Sequence, residues 1–296
     1  MVHLQSALTV EGMYRLFKLS VATALISVLS VFGPIHQVKA AGSCVSGVTP
    51  AGTALTVSGY EGRRTFVQLA RNADGTVKAA APLLVMMHGM KGCVEAFQSV
   101  TKIDTMFNAY GVHVLWVTAG TVNTSTTSTW DLVSGRDDTY VARAVDTMSF
   151  WNGLRPKAVV PVGISNGAGM AVHAVCKNPA RYAGAVSAAS WAVTSVTCGP
   201  VKRSLFVVSG TLDRYNGLDT TTELSSRWRS KVTTCSNKPT GLWTSSQLTA
   251  TWAGCTSGSI VRETHLSGYG HIWPNVPGFD GDANIVIFAK SLSTTA

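Results

Sequence analysis

Six short apolar runs recur along the chain, and each gives way to a glycine or a polar turn. They cover residues 82–89, 112–117, 158–164, 182–189, 204–209 and 259–266. Continuous apolar runs of this length are typical of strands that are buried on both faces of a parallel sheet. Segments whose apolar residues favour helices lie between or after them, at residues 97–103, 138–150, 166–175, 223–232 and 283–292.

Strands that alternate with helices predict a parallel sheet with right-handed crossover connections. Ahead of the first apolar run, residues 54–58 and 65–69 flank the turn Gly59-Tyr60-Glu61-Gly62 and predict a hairpin. The chain has 296 residues, enough for one large core. We therefore expect the fold class α/β, with a mostly parallel central sheet flanked by helices, as a single domain over residues 41–296.

The first forty residues have the pattern of a secretory signal peptide. Arg15 and Lys18 precede an apolar run at residues 19–32 that is short for a membrane span. Small residues then supply a cleavage site after Ala40 or Ala41. We expect a signal peptide over residues 1–40 and a secreted protein, extracellular or periplasmic, with no membrane contact after cleavage. An uncleaved anchor is the alternative.

All six cysteines follow the predicted signal, and an even number favours disulfides in an exported chain. Proximity along the chain selects one set among the possible connectivities. The expected pairs are Cys44–Cys93, Cys176–Cys198 and Cys235–Cys255. The sequence has no C-x-x-C pair, which argues against a zinc cluster, so no metal site is predicted.

The positive charge of the chain bears on its partners. The net charge of +9 becomes +7 when the three basic residues and one acidic residue of the signal are removed. Such a charge favours anionic surfaces or polysaccharides. The basic residues are scattered, in pairs such as Arg63-Arg64 and Lys202-Arg203, and aromatic residues do not alternate with them. We therefore expect no nucleic-acid partner.

The residues Gly163-Ile164-Ser165-Asn166-Gly167 join an apolar run to a helix of small residues. This is the pattern G-x-S-x-G in the context of strand, sharp turn and helix, which is typical of a nucleophilic serine. The two glycines let neighbouring backbones approach, so that the Ser165 hydroxyl projects above the edge of the sheet. An ordinary strand-to-helix turn is the alternative interpretation.

A nucleophilic serine needs a base, and the base needs an acid that orients it. In α/β-hydrolases these residues follow the serine in the order acid, then histidine. Asp213 comes directly after an apolar run and Gly210, so we predict that it is the acid, with Asp219 in reserve. His271 lies in a glycine loop past the last strand and is the predicted base.

The other histidines have structural explanations. His265 lies inside a predicted strand and His173 in the helix after Ser165, while His113 begins a strand. His3 and His36 belong to the predicted signal.

Acyl transfer also needs two backbone N–H donors for the oxyanion, one after the nucleophile and one in the loop after an early strand. We assign them to Asn166 and to Met90, which lies in the glycine-rich loop 88–92. His88 in that loop is expected to brace it. The tryptophans expected to line the substrate cleft, with packing in the core as the alternative, are Trp130, Trp191 and Trp273.

Several short motifs extend from about residue 65 to the last residues. They are His88-Gly89 with Gly92, the segment 130–138 ending in Asp137-Asp138, Gly163-Ile164-Ser165-Asn166-Gly167, Gly210-Thr211-Leu212-Asp213, Trp252-Ala253-Gly254-Cys255 and Gly270-His271-Ile272-Trp273-Pro274. In these motifs the chain resembles the polyhydroxybutyrate depolymerase family of esterases, which also contains feruloyl and acetylxylan esterases. The glycine before His271 and the Trp-Pro after it are more specific than G-x-S-x-G alone.

The resemblance implies an α/β-hydrolase fold, no cofactor, and a serine esterase with Ser165, Asp213 and His271 as nucleophile, acid and base. The chain departs from the family in two places. Met90 stands where relatives often carry a cysteine, and the segment after Asp213 lacks a proline-containing turn. Both departures concern the acyl pocket.

The leading hypothesis is a secreted serine carboxylic-ester hydrolase that acts on polymeric or oligomeric hydroxyalkanoate esters. One alternative is a feruloyl or acetylxylan esterase that acts on plant polysaccharide. The others are a serine peptidase on the same fold and a secreted binding protein without catalytic activity, since a fold alone does not establish a function.

Overall fold

The structure is a computed structural model that describes residues 49–120, 128–190, 198–215, 218–235 and 238–292. Within these ranges, ten strands form one sheet, and a separate short pair follows them. In chain order the strands are β1 Thr53–Ala54, β2 Thr65–Gln68, β3 Leu83–Met87, β4 His113–Val117, β5 Val159–Ile164, β6 Gly184–Ala188, β7 Ser204–Gly210, β8 Thr240–Trp243, β9 Gln247–Trp252, β10 Val261–Leu266, β11 Asn275–Val276 and β12 Phe279–Asp280.

The described α-helices flank the sheet or lie in its connections. They are α1 Val94–Gln98, α2 Ile103–Tyr110, α3 Arg136–Asn152, α4 Asn166–Lys177, α5 Leu218–Arg227 and α6 Gly281–Ser291. Helix α5 continues as a π-helical turn over Trp228–Val232, and a 3-10 turn covers Thr256–Gly258. Within the described ranges, no helix combines the length and apolar character needed to cross a bilayer.

The central part of the sheet is parallel, as the apolar runs predict. The strand order is β1-β2-β4-β3-β5-β6-β7-β10-β9-β8. The six strands from β4 to β10 in this order are parallel, and the strands outside them pair antiparallel. The carboxyl ends of β3, β5, β6, β7 and β10 therefore lie along one edge, where loops of parallel α/β sheets carry functional residues.

Both faces of the sheet are covered by helices, which explains why its strands lack polar alternation. Side chains of β3 point alternately to two separate cores. Leu83 and Met87 belong to the core that includes Met170 of α4. Leu84 and Met86 belong to the opposite core, with Phe288 of α6.

The structure refines several predicted boundaries. The predicted hairpin is present, but its first strand is only β1, which pairs antiparallel with β2. The helix expected at residues 97–103 is two helices, α1 and α2, with a break between them. The antiparallel pair β8–β9 is an addition that the apolar runs do not predict. Strand β9 alternates buried and half-buried residues, because it lies next to the edge of the sheet.

Two of the three expected disulfides are confirmed. Cys176–Cys198 connects the end of α4 to the segment before β7. Cys235–Cys255 connects the segment after the π-helical turn to the segment after β9. Cys44, the expected partner of Cys93, lies outside the described residues, as does the predicted signal peptide.

Candidate active site

Ser165 lies on a sharp turn between β5 and α4. Its backbone has φ +57° and ψ −121°, a conformation that a residue with a side chain rarely adopts and that marks strain. The Ser165 N–H donates to the carbonyl of Ala188 on the neighbouring strand β6 at 3.0 Å. Its own carbonyl accepts from the N–H groups of Ala168 and Gly169 in the first turn of α4. These hydrogen bonds hold the strained turn, and the serine is half-buried.

The glycines of the motif are required because backbones approach closely at this turn. A Cβ on Gly163 would lie 2.1 Å from the carbonyl oxygen of Gly167. A Cβ on Gly167 would lie 2.3 Å from the carbonyl oxygens of both Met87 and His88. Only glycine fits at either position, Gly163 because the turn closes on its own backbone and Gly167 because the turn packs against the end of β3.

Asp213 and His271 are in direct contact at the same edge of the sheet. His271 Nδ1 lies 2.9 Å from Asp213 Oδ2, and Asp213 Oδ1 accepts a hydrogen bond from the Tyr215 N–H at 2.9 Å. The Asp213 side chain is fully buried, while that of His271 is 17% exposed. A buried carboxylate that faces Nδ1 holds the imidazole in one orientation and leaves Nε2 as the basic nitrogen.

Two loops make this contact possible. The loop after β7 carries Asp213 and the loop after β10 carries His271, and backbone hydrogen bonds join them. Leu212 N–H donates to the Tyr269 carbonyl at 2.8 Å. A Cβ on Gly210 would lie 2.0 Å from the same carbonyl oxygen, so only glycine allows the two loops to meet.

Ser165 lies two strands away from the acid. Ile164 at the end of β5 pairs with Ala188 of β6, which pairs with Val208 of β7. At the usual spacing between strands, the ends of β5 and β7 are about 10 Å apart. An imidazole can span such a distance only together with the serine and aspartate side chains on either side of it.

The loop after β3 passes directly beside Ser165. A Cβ on Gly89 would lie 3.4 Å from the Cβ of Ser165. Met90, the next residue, is 41% exposed. Asn166 is the first residue of α4, where backbone N–H groups have no partner within the helix. The two predicted oxyanion donors therefore belong to segments that flank the serine.

His88 braces the loop of Met90. Its Nδ1 lies 2.7 Å from the Gly89 carbonyl oxygen, and its Nε2 accepts from the Ala119 N–H at 3.0 Å. Burial lowers the pKa of His88 to about 4, so the ring is neutral at ordinary pH. One nitrogen of this neutral ring donates and the other accepts, which matches both contacts.

Two of the three predicted cleft tryptophans are buried and hold site loops. Trp130 donates from its indole nitrogen to the His88 carbonyl at 2.8 Å, and from its backbone N–H to Asn166 Oδ1 at 2.7 Å. Trp273 packs edge-on against Phe97, with ring centroids 4.9 Å apart. These contacts match the alternative interpretation, packing in the core. Trp191 lies outside the described residues.

The carboxylates of Asp137 and Asp138 at the start of α3 are buried, and each contacts a nitrogen-bearing side chain. Asp137 Oδ1 accepts from Arg63 Nη2 at 2.6 Å, and Asp137 Oδ2 accepts from the Asp131 N–H at 2.8 Å. Asp138 Oδ2 lies 2.8 Å from His173 Nε2. Asp137 thus holds the segment that contains Trp130, and Asp138 connects α3 to α4.

The structure places two other histidines, His265 and His113, in strands of the sheet. His265 is buried in β10, with Nε2 2.6 Å from Glu263 Oε1, and His113 Nδ1 accepts from the Ala70 N–H. Asp219 lies in α5, and its side chain is not among those described. In the ranges that the structure covers, no group of three His, Cys, Asp or Glu residues is arranged to hold a metal ion.

Sequence reasoning missed two residues that contact the site. Tyr215 holds Asp213 through its backbone, and its ring lies beside His271 with centroids 5.1 Å apart. Asp282 at the start of α6 accepts a hydrogen bond from Trp273. Tyr215 could have been found from the sequence, as an aromatic residue two positions after the predicted acid. No local pattern in the sequence indicates Asp282.

Together, the sheet order, the strained serine turn and the acid–histidine pair define the α/β-hydrolase fold. No family model matches the chain. The chain is 25% identical over 205 residues to a bifunctional acetylxylan esterase/xylanase of Neocallimastix patriciarum, a match that covers 67% of this chain and 30% of that protein. The chain therefore spans about 30% of the length of this relative.

Solved structures of low sequence identity share the fold. An acetyl xylan esterase from Aspergillus awamori superposes with a TM-score of 0.61 at 14% identity, covering 80% of this chain and 98% of the other. A carboxylesterase of Bacillus cereus gives 0.51 at 14% identity, covering 77% and 94%. Both structural neighbours are esterases.

Proposed function

We propose that this protein is a serine ester hydrolase in which Ser165, His271 and Asp213 are nucleophile, base and acid. The observation that carries the proposal is the 2.9 Å contact between His271 and Asp213, at the sheet edge where Ser165 occupies its strained turn. An acid–histidine pair at this edge is the arrangement that activates a serine hydroxyl. The esterases among the similar proteins support the same chemistry.

The proposed reaction has two steps. Ser165 Oγ bonds to the ester carbonyl carbon while its proton passes to His271 Nε2, and Asp213 stabilises the imidazolium. The N–H groups of Met90 and Asn166 hold the oxyanion. The bond to the alcohol oxygen then breaks, and the alcohol leaves with the proton from His271. Water attacks the acyl-enzyme in the same way, releasing the carboxylic acid and restoring Ser165.

The substrate class that we propose is an acetyl ester of a xylan-type polysaccharide. Both the Neocallimastix patriciarum relative and the Aspergillus awamori structure are named for this activity. A hydroxyalkanoate ester is the second candidate, supported by the motif resemblance and by exposed apolar side chains at the site, Met90 and Leu212. A feruloyl ester is the third.

We further propose that the protein is secreted, with a signal peptide at residues 1–40 and a catalytic domain at residues 41–296. The two disulfides support this, because disulfides persist in oxidising compartments. Mass spectrometry of the protein recovered from periplasm and medium tests the proposal. A mature N-terminus at residue 41 or 42 is expected, and an intact N-terminus on all the protein would contradict it.

The first test of the catalytic residues uses Ser165→Ala with 4-nitrophenyl acetate. We expect a loss on the order of 10⁶-fold in kcat, with an unchanged thermal melting curve. Asp213→Asn should lose on the order of 10⁴-fold, because the amide favours the wrong histidine tautomer. Asp219→Asn is the matched control and should retain activity. Near wild-type turnover by Ser165→Ala would remove this serine from the mechanism.

A second test separates the substrate classes. One panel compares acetylated xylan, methyl ferulate, 3-hydroxybutyrate oligomers and a peptide substrate at equal enzyme concentration. The highest kcat/KM on acetylated xylan is expected. A fluorophosphonate should label Ser165 if the protein is a serine esterase or a serine peptidase. A binding protein without catalytic activity would not be labelled.

A further inference from the structure

Tyr215 stands beside the acid–histidine pair with its ring directed to solvent. Its N–H donates to Asp213 Oδ1 at 2.9 Å, which fixes the backbone at this position. Its ring centroid lies 5.1 Å from that of His271, and the ring planes are inclined by 67°. The residue nevertheless remains 74% exposed. The ring therefore touches the imidazole and keeps most of its surface free for another group.

Other exposed apolar side chains accompany Tyr215. Leu212, on the other side of Asp213, is 52% exposed, and Met90 lies exposed in the loop beside Ser165. Each of the loops after β3 and β7 thus presents apolar surface to water next to a site residue. Soluble proteins expose apolar patches mainly where a ligand or partner binds. Met90, Leu212 and Tyr215 are thus three exposed apolar side chains on loops that also carry predicted site residues.

The position of Tyr215 decides which part of an ester it meets. In the proposed reaction, His271 gives its proton to the departing alcohol oxygen, so the alcohol lies next to the imidazole. Tyr215 is in contact with that imidazole. Met90, one of the two predicted oxyanion donors, follows Gly89, which adjoins Ser165, so the acyl carbonyl belongs on that side. The ring of Tyr215 is thus on the alcohol side of the ester.

We propose that Tyr215 is a specificity residue that forms a platform for the alcohol part of the substrate, and that it takes a pyranose ring. This inference rests on the proposed serine esterase function. A pyranose presents a face of C–H groups that packs on an aromatic ring, and its hydroxyl groups can bond the phenol. Tyrosine suits such a contact, because it offers large amphipathic area with little rotamer entropy to lose.

The test compares two acetyl esters that differ only in the alcohol. The alcohol part of β-D-xylopyranose tetraacetate is a pyranose ring, whereas that of glycerol triacetate is an open chain. The measured quantity is kcat/KM for the xylopyranose ester divided by kcat/KM for the glycerol ester. We expect Tyr215→Ala to lower this ratio about three- to tenfold, by raising KM for the xylopyranose ester. Tyr215→Phe keeps the aromatic ring and should keep most of the ratio. Trp151→Ala, which removes a 73% exposed aromatic at the far end of α3, is the matched control and should leave it unchanged.

Two outcomes would overturn the inference. An unchanged ratio in Tyr215→Ala would mean that the ring binds no alcohol group. An equal loss on both esters, with a shifted pH profile of kcat/KM, would mean that the ring acts by orienting His271. Either result leaves the proposed esterase function intact as long as Ser165→Ala is inactive on 4-nitrophenyl acetate. Retained activity in Ser165→Ala would instead overturn that function.

Discussion

Trp273 donates a hydrogen bond from its indole nitrogen to Asp282 Oδ1 at 2.9 Å, in the buried core. The other carboxylate oxygen, Oδ2, accepts from the Lys102 N–H at 2.7 Å and from the side-chain amide of Asn275. Trp273 is two residues after His271, so one buried carboxylate connects the loop of the proposed base to the start of α2. We infer that Asp282 positions this loop.

The substitution Asp282→Asn should loosen the His271 loop. An amide has one accepting oxygen, so at least one of the donors now bonded to the carboxylate loses its partner and stays buried. We expect the free energy of unfolding to fall by about 3 kcal/mol. Because the loop orients His271, kcat on 4-nitrophenyl acetate should fall more than KM changes. Urea unfolding and steady-state kinetics measure both effects.

Asp280→Asn is the matched control for this prediction. Asp280 caps the same helix, with Oδ1 accepting from the Ala283 N–H at 2.9 Å, and it is exposed. Asparagine caps helices about as well as aspartate, so little change is expected. Equal effects of the Asp280 and Asp282 substitutions would show that the buried carboxylate has no special role.

Gly167→Ala should disrupt the serine turn. The added Cβ would lie 2.3 Å from the carbonyl oxygens of Met87 and His88, and neither backbone can move without shifting the end of β3. We expect a loss of more than about 3 kcal/mol in unfolding free energy, at the upper end of overpacking costs. Activity per folded molecule should also fall, because the loop beside Ser165 would be displaced.

Gly62→Ala provides the comparison for that substitution. A Cβ there would meet nothing within 4 Å, and the backbone is not left-handed. Its stability should stay within about 0.5 kcal/mol of the wild type, as is usual at surface positions. A Gly167→Ala protein that is as stable and active as Gly62→Ala would contradict the packing account of the motif.

Buried His88 should make the protein sensitive to acid. Its pKa is lowered by burial from 6.5 to about 4, so below pH 6.5 the unfolded chain binds a proton that the folded chain does not. Stability is therefore lost as the pH falls from about 6.5 to 4, and the loss attributable to His88 between pH 7.5 and 5 is about 2 kcal/mol. Urea unfolding at these two pH values measures the total loss.

The variant His88→Gln isolates this contribution. The glutamine carbonyl can accept from the Ala119 N–H as His88 Nε2 does, but it does not titrate. We expect the variant to lose about 2 kcal/mol less than the wild type between the two pH values, whatever its stability at pH 7.5. An identical pH dependence in the two proteins would refute the prediction.

The order of strands and helices follows largely from the sequence. The runs 82–89, 158–164 and 204–209 correspond to β3, β5 and β7, because strands covered on both faces are apolar throughout. The pair β8–β9 is not predicted by the search for continuous apolar runs. Strand β8 is exposed at the sheet edge and β9 is buried only at alternate residues, so their pattern is weaker.

The sequence by itself determined where the serine turn falls, because the close approach between Gly163 and Gly167 lies within five residues. It also determined which loops carry an acid and a histidine. Only the tertiary structure decided that Tyr215 lies against His271, or that Asp282 receives a hydrogen bond from Lys102, 180 residues away. Such contacts depend on how the sheet and its helices pack. The spacing of residues along the chain does not indicate which distant donor a buried carboxylate will contact.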